Sequence, residues 1–265
     1  MATHALLLDC DGVLADTELD GHLPAFNEAF RALGLSVSWT PEQYRVLLRV
    51  GGGKERLAAF LDTHPGIAPT DVHERRELIE RVHRLKSELY VGRVERGALP
   101  ARPGVRRLVA EALDQGWRVA VASTSAVASV EAVLRAVVGP DLRAKMSGVF
   151  AGDVVTRKKP APDIYELALR ELGRAPMDAI VVEDSQSGAA AASSAGIRHI
   201  VTHSHFTTDD SFPDASAVLS DLGEPNAPAR LIAGADVRNA DGVVDVRTLE
   251  SILFGHEAAG TGRGD

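Results

Sequence analysis

Cysteine is all but absent from this chain of 265 residues. Cys10 stands alone, so no internal disulfide can form, as expected in a reducing compartment. Long apolar runs are missing as well. The longest stretches fall far short of a bilayer span, and no membrane association is expected. Positive charge is in deficit: 29 lysines and arginines face 37 aspartates and glutamates, for a net charge of −8. That balance argues against a nucleic-acid binder, which would show a basic patch or stripe. It still admits a phosphorylated substrate wherever cations cluster locally. Met1-Ala2-Thr3-His4 has neither the charged nor the apolar region of a signal peptide. The expectation is therefore a cytoplasmic protein, or a plastid one only if a transit peptide has been removed, with a monomer as the default.

What the chain does contain is an alternation. From Pro103 onward, short apolar runs take turns with helical patterns: helix at 105–115, strand at 117–122, helix at 126–138, a short strand near Val149, helix at 162–172, strand at 179–182, helix at 187–195 and strand at 199–201. Strand and helix in strict turn predict an α/β fold, a doubly wound parallel sheet covered by helices on both faces. The first strand, Leu6 to Leu8, belongs to the same sheet, yet the second arrives only at Trp117, so a segment is inserted. Residues 17–98 read as helices: Leu19, Leu23, Phe26, Phe30 and Leu33 step by four, three, four and three along one helix face. Thr40-Pro41 is a cap followed by a proline at the first helical position, and 77–90 continues the helical texture. The expected organisation is a core domain over 1–16 and 99–265 and a small helical cap over 17–98. Past Ser204 the pattern weakens to a last helix near 246–253 and a frayed tail at 258–265.

Chemistry gathers at the strand ends. Asp9 and Asp11 stand two apart after an apolar run, and on a continued strand residues i and i+2 face the same way. Carboxylates held that close need a cation, a proton or strong hydrogen bonding, and Mg2+ is the natural compensator. By itself Asp-x-Asp-Gly is also what a strand followed by an acidic turn looks like. The second strand delivers Ser123-Thr124-Ser125, hydroxyls ahead of a helix that suit phosphate oxygens, although helix caps use the same residues. The third is followed by Arg157-Lys158-Lys159-Pro160, where Lys159 is favoured as an anchored cation and Lys158 is its rival. The fourth ends in Glu183-Asp184-Ser185, a second acidic pair that strengthens the reading as a metal site.

Together these strand ends resemble the haloacid dehalogenase superfamily of phosphotransferases, over the chain to about residue 205. The resemblance implies that Asp9 attacks phosphorus to form an aspartyl phosphate, and that Asp11 protonates the leaving oxygen and then activates water. It also implies Mg2+ on Asp9, the backbone carbonyl of Asp11 and Asp184, with Glu183 close by or acting through water. Ser123 and Lys159 complete the catalytic set, and Ser123, Thr124, Ser125 and Lys159 hold the phosphoryl group. Thr17-Glu18 matches the start of the helical cap in the group containing β-phosphoglucomutase and phosphoglycolate phosphatase.

The cap bears on the substrate. Gly51-Gly52-Gly53-Lys54-Glu55-Arg56 offers backbone amides and two cations that can clamp a second phosphate, though a plain helix–helix turn can carry the same residues. As a whole this cap looks like that of the CbbY-type xylulose-1,5-bisphosphate phosphatases, with Glu18 and His22 on its first helix and Arg84 and Lys86 on its last. That likeness implies a small phosphorylated sugar as partner and hydrolysis of xylulose 1,5-bisphosphate to xylulose 5-phosphate. A β-phosphoglucomutase-like mutase shares the catalytic quartet and remains an alternative, as does a phosphatase for another small phosphate ester.

Overall fold

The computed structural model describes residues 4–67, 69–97 and 99–255. The frayed tail expected at 258–265 and the insert's expected last residue, Ala98, lie outside the described residues. Seven strands form one sheet in the order β3-β2-β1-β4-β5-β6-β7. Strand β1 (Ala5–Leu8) lies in the middle, paired in parallel with β2 (Arg118–Ser123) and β4 (Ala179–Glu183). Strand β3 (Gly148–Ala151) flanks β2, and β5 (Arg198–Thr202) flanks β4. Two further strands extend the sheet, parallel β6 (Ala217–Leu219) and antiparallel β7 (Leu231–Gly234). The sheet is therefore parallel only as far as β6. Segments this short, the last of them mostly exposed, carry too few apolar residues to register as strands in the sequence.

Side-chain alternation splits the core between the two faces. Leu6 and Leu8 pack with Val119, Val121, Ile180 and Val182 beneath helices α5 (Val105–Asp114), α6 (Val127–Val137) and α10 (Val246–Phe254). Ala5 and Leu7 pack with Ala120 and Val181 beneath α8 (Asp163–Leu172) and α9 (Gln186–Ser194). Helices on both faces explain why these strands read as unbroken apolar runs. The remaining helix, α7 (Pro140–Lys145), carries no buried residue.

Between β1 and β2 the chain forms α1 (Leu23–Ala32), α2 (Pro41–Leu47), α3 (Gly53–Asp62) and α4 (Val72–Glu95). They enclose an aromatic-rich cluster of their own, including Phe26, Phe30, Trp39, Tyr44 and Phe60. Thr40 and Gln43 form a capping box at the start of α2, with the Gln43 N–H 3.2 Å from Thr40 Oγ1. A π-turn over Glu18–His22 precedes α1, and the Leu23 N–H donates to the Glu18 carbonyl. This single wider turn brings Glu18 and His22 to the same side, a use to which π-turns at functional sites are often put. Where the chain returns to the sheet, half-buried Arg102 donates to the carbonyls of Gly12 (2.7 Å), His203 (2.6 Å) and Ser220 (2.5 Å). One guanidinium thus ties three loops together at the carboxyl edge of the strands.

Candidate active site

Asp9 directly follows β1, and its N–H donates to the Val182 carbonyl (3.0 Å), which fixes it level with the end of β4. Lys159 Nζ donates to Asp9 Oδ1 (2.6 Å), Glu183 Oε1 (2.7 Å) and the Ala122 carbonyl (2.8 Å). The Tyr165 hydroxyl donates to the same Glu183 oxygen (2.5 Å). One oxygen each from Asp9, Glu183 and Asp184 lie within 4.8 Å of one another, and all three residues are buried. Gly12 lets Asp184 come this close. Its φ is +80°, and a Cβ there would stand 1.9 Å from Asp184 Oδ2.

Three carboxylates cluster where one ammonium reaches only Asp9 and Glu183, and the electrostatics show the imbalance. Burial pushes the Asp9 carboxyl up to about 7, with Lys159 opposing and Glu183 and Asp11 adding. Burial, then Glu183 and Asp9, put Asp184 well above the usual carboxylate range. Burial works against the charge on Lys159, yet Asp9 and Glu183 hold it protonated, well above an ordinary lysine. An all-oxygen, buried donor set short of positive charge fits a hard divalent cation.

Asp11 does not share in this cluster. Strand β1 ends at Leu8 and the chain turns at Gly12, so the alternation that would align Asp9 with Asp11 is broken. The Asp11 carboxylate faces the helical insert, accepting from Thr17 Oγ1 (2.5 Å), His22 Nε2 (2.8 Å) and the Ser125 hydroxyl. Burial would raise its pKa, but His22, Ser125 and Thr17 outweigh burial and hold it below the ordinary range. The carboxylate is thus turned from the other three, in keeping with the expectation that names only the Asp11 backbone carbonyl for the metal. Behind it, Lys86 Nζ lies 2.7 Å from His22 Nδ1. An ammonium only donates, so Nδ1 accepts and the Nε2–H donates to Asp11. Tyr90 stacks on the His22 ring at 3.9 Å. Burial lowers the Lys86 pKa to about 8.

These groups open on a cavity of about 620 Å3 between the strand ends and the insert, a size that suits a small ligand. Of the residues singled out in the sequence, Glu18, His22, Gly51, Gly52, Gly53, Arg56, Lys86, Ser123, Thr124, Ser125 and Lys159 all line it. Three cations stand elsewhere. Lys54 pairs with Asp153 outside the cavity, and Lys158 pairs with Glu55 (2.8 Å) and Asp153 (3.0 Å). Arg84 is exposed and off the cavity wall. Arg56 does line the cavity, but its guanidinium is already engaged. It donates to the Tyr44 hydroxyl (2.9 Å), which in turn donates to Glu18 (2.6 Å). A clamp of Lys54 with Arg56 is thus not assembled.

Sequence reasoning missed several wall residues. Arg45 and Arg49 line the cavity, and their i, i+4 spacing just ahead of the glycine run was the available signal. His83, one helical turn from Lys86, also faces it, and burial together with Lys86, Lys54 and Lys158 lowers its pKa to about 4. Ser204, Phe206, Thr207, Asp209 and Asp210, from the loop after β5, also line the cavity. Nothing local marks them.

The model of the haloacid dehalogenase-like hydrolases matches residues 3–196 of the chain. The chain belongs to this family. As such a hydrolase it is 48% identical over 223 residues to a CBBY-like protein of Arabidopsis thaliana, a match covering 83% of this chain and 70% of that protein. It is 43% identical over 234 residues to Protein CbbY of Cereibacter sphaeroides, covering 88% and 98%. The crystal structure of CbbY from Rhodobacter sphaeroides in complex with phosphate has a TM-score of 0.77 at 43% identity, covering 84% of this chain and 96% of that one. A mutant of that CbbY, solved in complex with xylulose-(1,5)bisphosphate, gives the same figures.

Proposed function

We propose that this hydrolase is a magnesium-dependent sugar-phosphate phosphatase that converts xylulose 1,5-bisphosphate to xylulose 5-phosphate and phosphate through an aspartyl phosphate. The observation that carries the reading is the clustering of Asp9, Glu183 and Asp184, with Lys159 bonded to the first two, beneath a cavity walled by the helical insert. The likeness to a CbbY solved with xylulose bisphosphate supports the choice of substrate.

Asp9 Oδ attacks phosphorus as the bond from phosphorus to the sugar oxygen breaks, and Asp11 gives that oxygen a proton. Asp11, now a carboxylate, takes a proton from water while the water oxygen attacks the aspartyl phosphate. Phosphate leaves and Asp9 is restored. The hydrogen bonds from Thr17, His22 and Ser125 favour the ionised Asp11 that the second step needs. Lys159 orients Asp9 and offsets charge on the phosphoryl oxygens, which Ser123 and Thr124 also face. Asp9 and Asp184 would hold Mg2+ with the Asp11 carbonyl, Glu183 standing behind; the ion supplies positive charge against the phosphoryl oxygens. The insert keeps bulk water from the reacting centre.

The test is phosphate release from a panel of sugar mono- and bisphosphates with and without Mg2+. Asp9→Asn is expected to abolish turnover while leaving the thermal midpoint intact, since it removes one of three crowded carboxylates. Near-normal turnover in that variant would remove Asp9 as nucleophile. Isomerisation of glucose 1-phosphate without phosphate release would make the protein a mutase instead.

A further inference from the structure

The loop after β5 begins in the sheet and ends inside the insert. Its base is a tight turn: the Ser204 N–H donates to Thr207 Oγ1 (2.9 Å), the two hydroxyls lie 3.1 Å apart, and both residues are buried. Ser204 also hydrogen-bonds to Asp184, one of the three clustered carboxylates. The tip is Phe206, only 6% exposed, and it belongs to the aromatic cluster of the insert rather than to either core of the sheet. Its ring meets Tyr44 edge-on at 6.0 Å, and the Arg45 guanidinium lies over it at 5.5 Å. Arg45 Nη1 donates to the Phe206 carbonyl (3.0 Å), and the His205 N–H donates to Asp16 Oδ2 (3.1 Å) where the insert departs.

We infer that Phe206 is a positioning residue: a strap from the sheet that seats α2 over the cavity and so sets Tyr44, and through it Glu18 and Arg56, relative to Asp9. The inference rests on the proposed phosphatase reading for its activity arm only. The physical reason lies in the contacts. Tyr44 reaches no strand-end carboxylate itself, but its hydroxyl joins Glu18 to Arg56 on the cavity wall. The tyrosine ring that carries this hydroxyl is braced from the sheet side by Phe206. Removing the brace leaves an apolar gap that α2 fills by shifting. A shift of about 1 Å far from the reacting atoms can cost on the order of a hundredfold in rate. A small ester that never reaches the insert is spared most of that loss.

The experiment pairs hydrogen exchange on the full chain, without substrate, with kinetics on two substrates. In Phe206→Ala the amides of α2 are expected to exchange faster while those of β1 and β4 stay protected. Its kcat/KM for xylulose 1,5-bisphosphate is expected to fall on the order of a hundredfold, and that for p-nitrophenyl phosphate by a clearly smaller factor. Phe206→Leu, which keeps most of the apolar fill but loses the ring that meets Tyr44, is expected to lie between the alanine variant and wild type in both properties and serves if the alanine variant does not fold. Unchanged α2 exchange in the variants, or equal loss on both substrates, overturns the strap. If the wild-type protein releases phosphate from no sugar phosphate, the phosphatase reading fails, and the exchange arm alone decides the strap.

Discussion

Lys159→Met tests the balance of charge at the strand ends. Methionine keeps the length of the side chain and removes the one ammonium that, among the described residues, touches both Asp9 and Glu183. Taking one partner from a buried pair costs about 3–5 kcal/mol, because the remaining charge is left in a poorly solvated place. For a chain of this size that lowers the unfolding midpoint by about 10 °C. The loss has a definite pH dependence. Asp9 titrates near 7 in the folded protein and near 3.8 as a free side chain, so the folded state binds the extra proton. Stability from this group is full at low pH and is lost as pH rises from about 4 to about 7. Without the ammonium, which opposes the rise, the Asp9 pKa climbs further and the window extends upward. The gap between variant and wild type is therefore expected to be wide at pH 7 and to narrow at pH 5. Urea unfolding followed by tryptophan fluorescence, in EDTA and then in Mg2+, measures it. Saturating cation is expected to restore part of the loss, about 2.7 kcal/mol at a hundredfold excess over Kd. A variant as stable as wild type at pH 7 in EDTA, or a gap indifferent to pH, refutes the reasoning.

Gly12→Ala is expected to drive Asp184 from its place, weakening Mg2+ binding by calorimetry more than it weakens the fold, since the new Cβ meets the carboxylate at 1.9 Å. Lys158→Gln, in contrast to the change at Lys159, is expected to cost about 1 kcal/mol or less, its partners Glu55 and Asp153 being largely solvated. Arg84→Ala is expected to leave KM unchanged and stability within about 0.5 kcal/mol, as for other surface positions.

The central strands were legible because parallel strands covered on both faces must be apolar throughout, and Leu6–Leu8 and Ile180–Val182 are. The helix start at Thr40-Pro41 was legible because capping is local chemistry, while the reciprocal bond from Gln43 emerged only with the structure. Strands β6 and β7 were not, being three and four residues long and joined to the sheet edge by backbone pairing rather than by an apolar pattern. The sequence favoured Lys159 over Lys158 without separating them, because the difference lies in which one reaches the buried Asp9 and Glu183. Asp9 and Asp11 look like a pair only while the strand continues, and it stops at Leu8. The far wall of the cavity was hidden for another reason. Arg45 meets Phe206 across 161 positions of chain, and no periodicity records a contact between segments so far apart.

Arg102 grips its three neighbours through their carbonyl oxygens and none of their side chains. The frame of the catalytic edge is thus indifferent to which side chains occupy Gly12, His203 and Ser220, so far as this tether is concerned. An engineer seeking a new substrate preference can vary the loop beyond Thr207 while its point of departure stays pinned. Replacing Arg102 itself would release all three crossings at once.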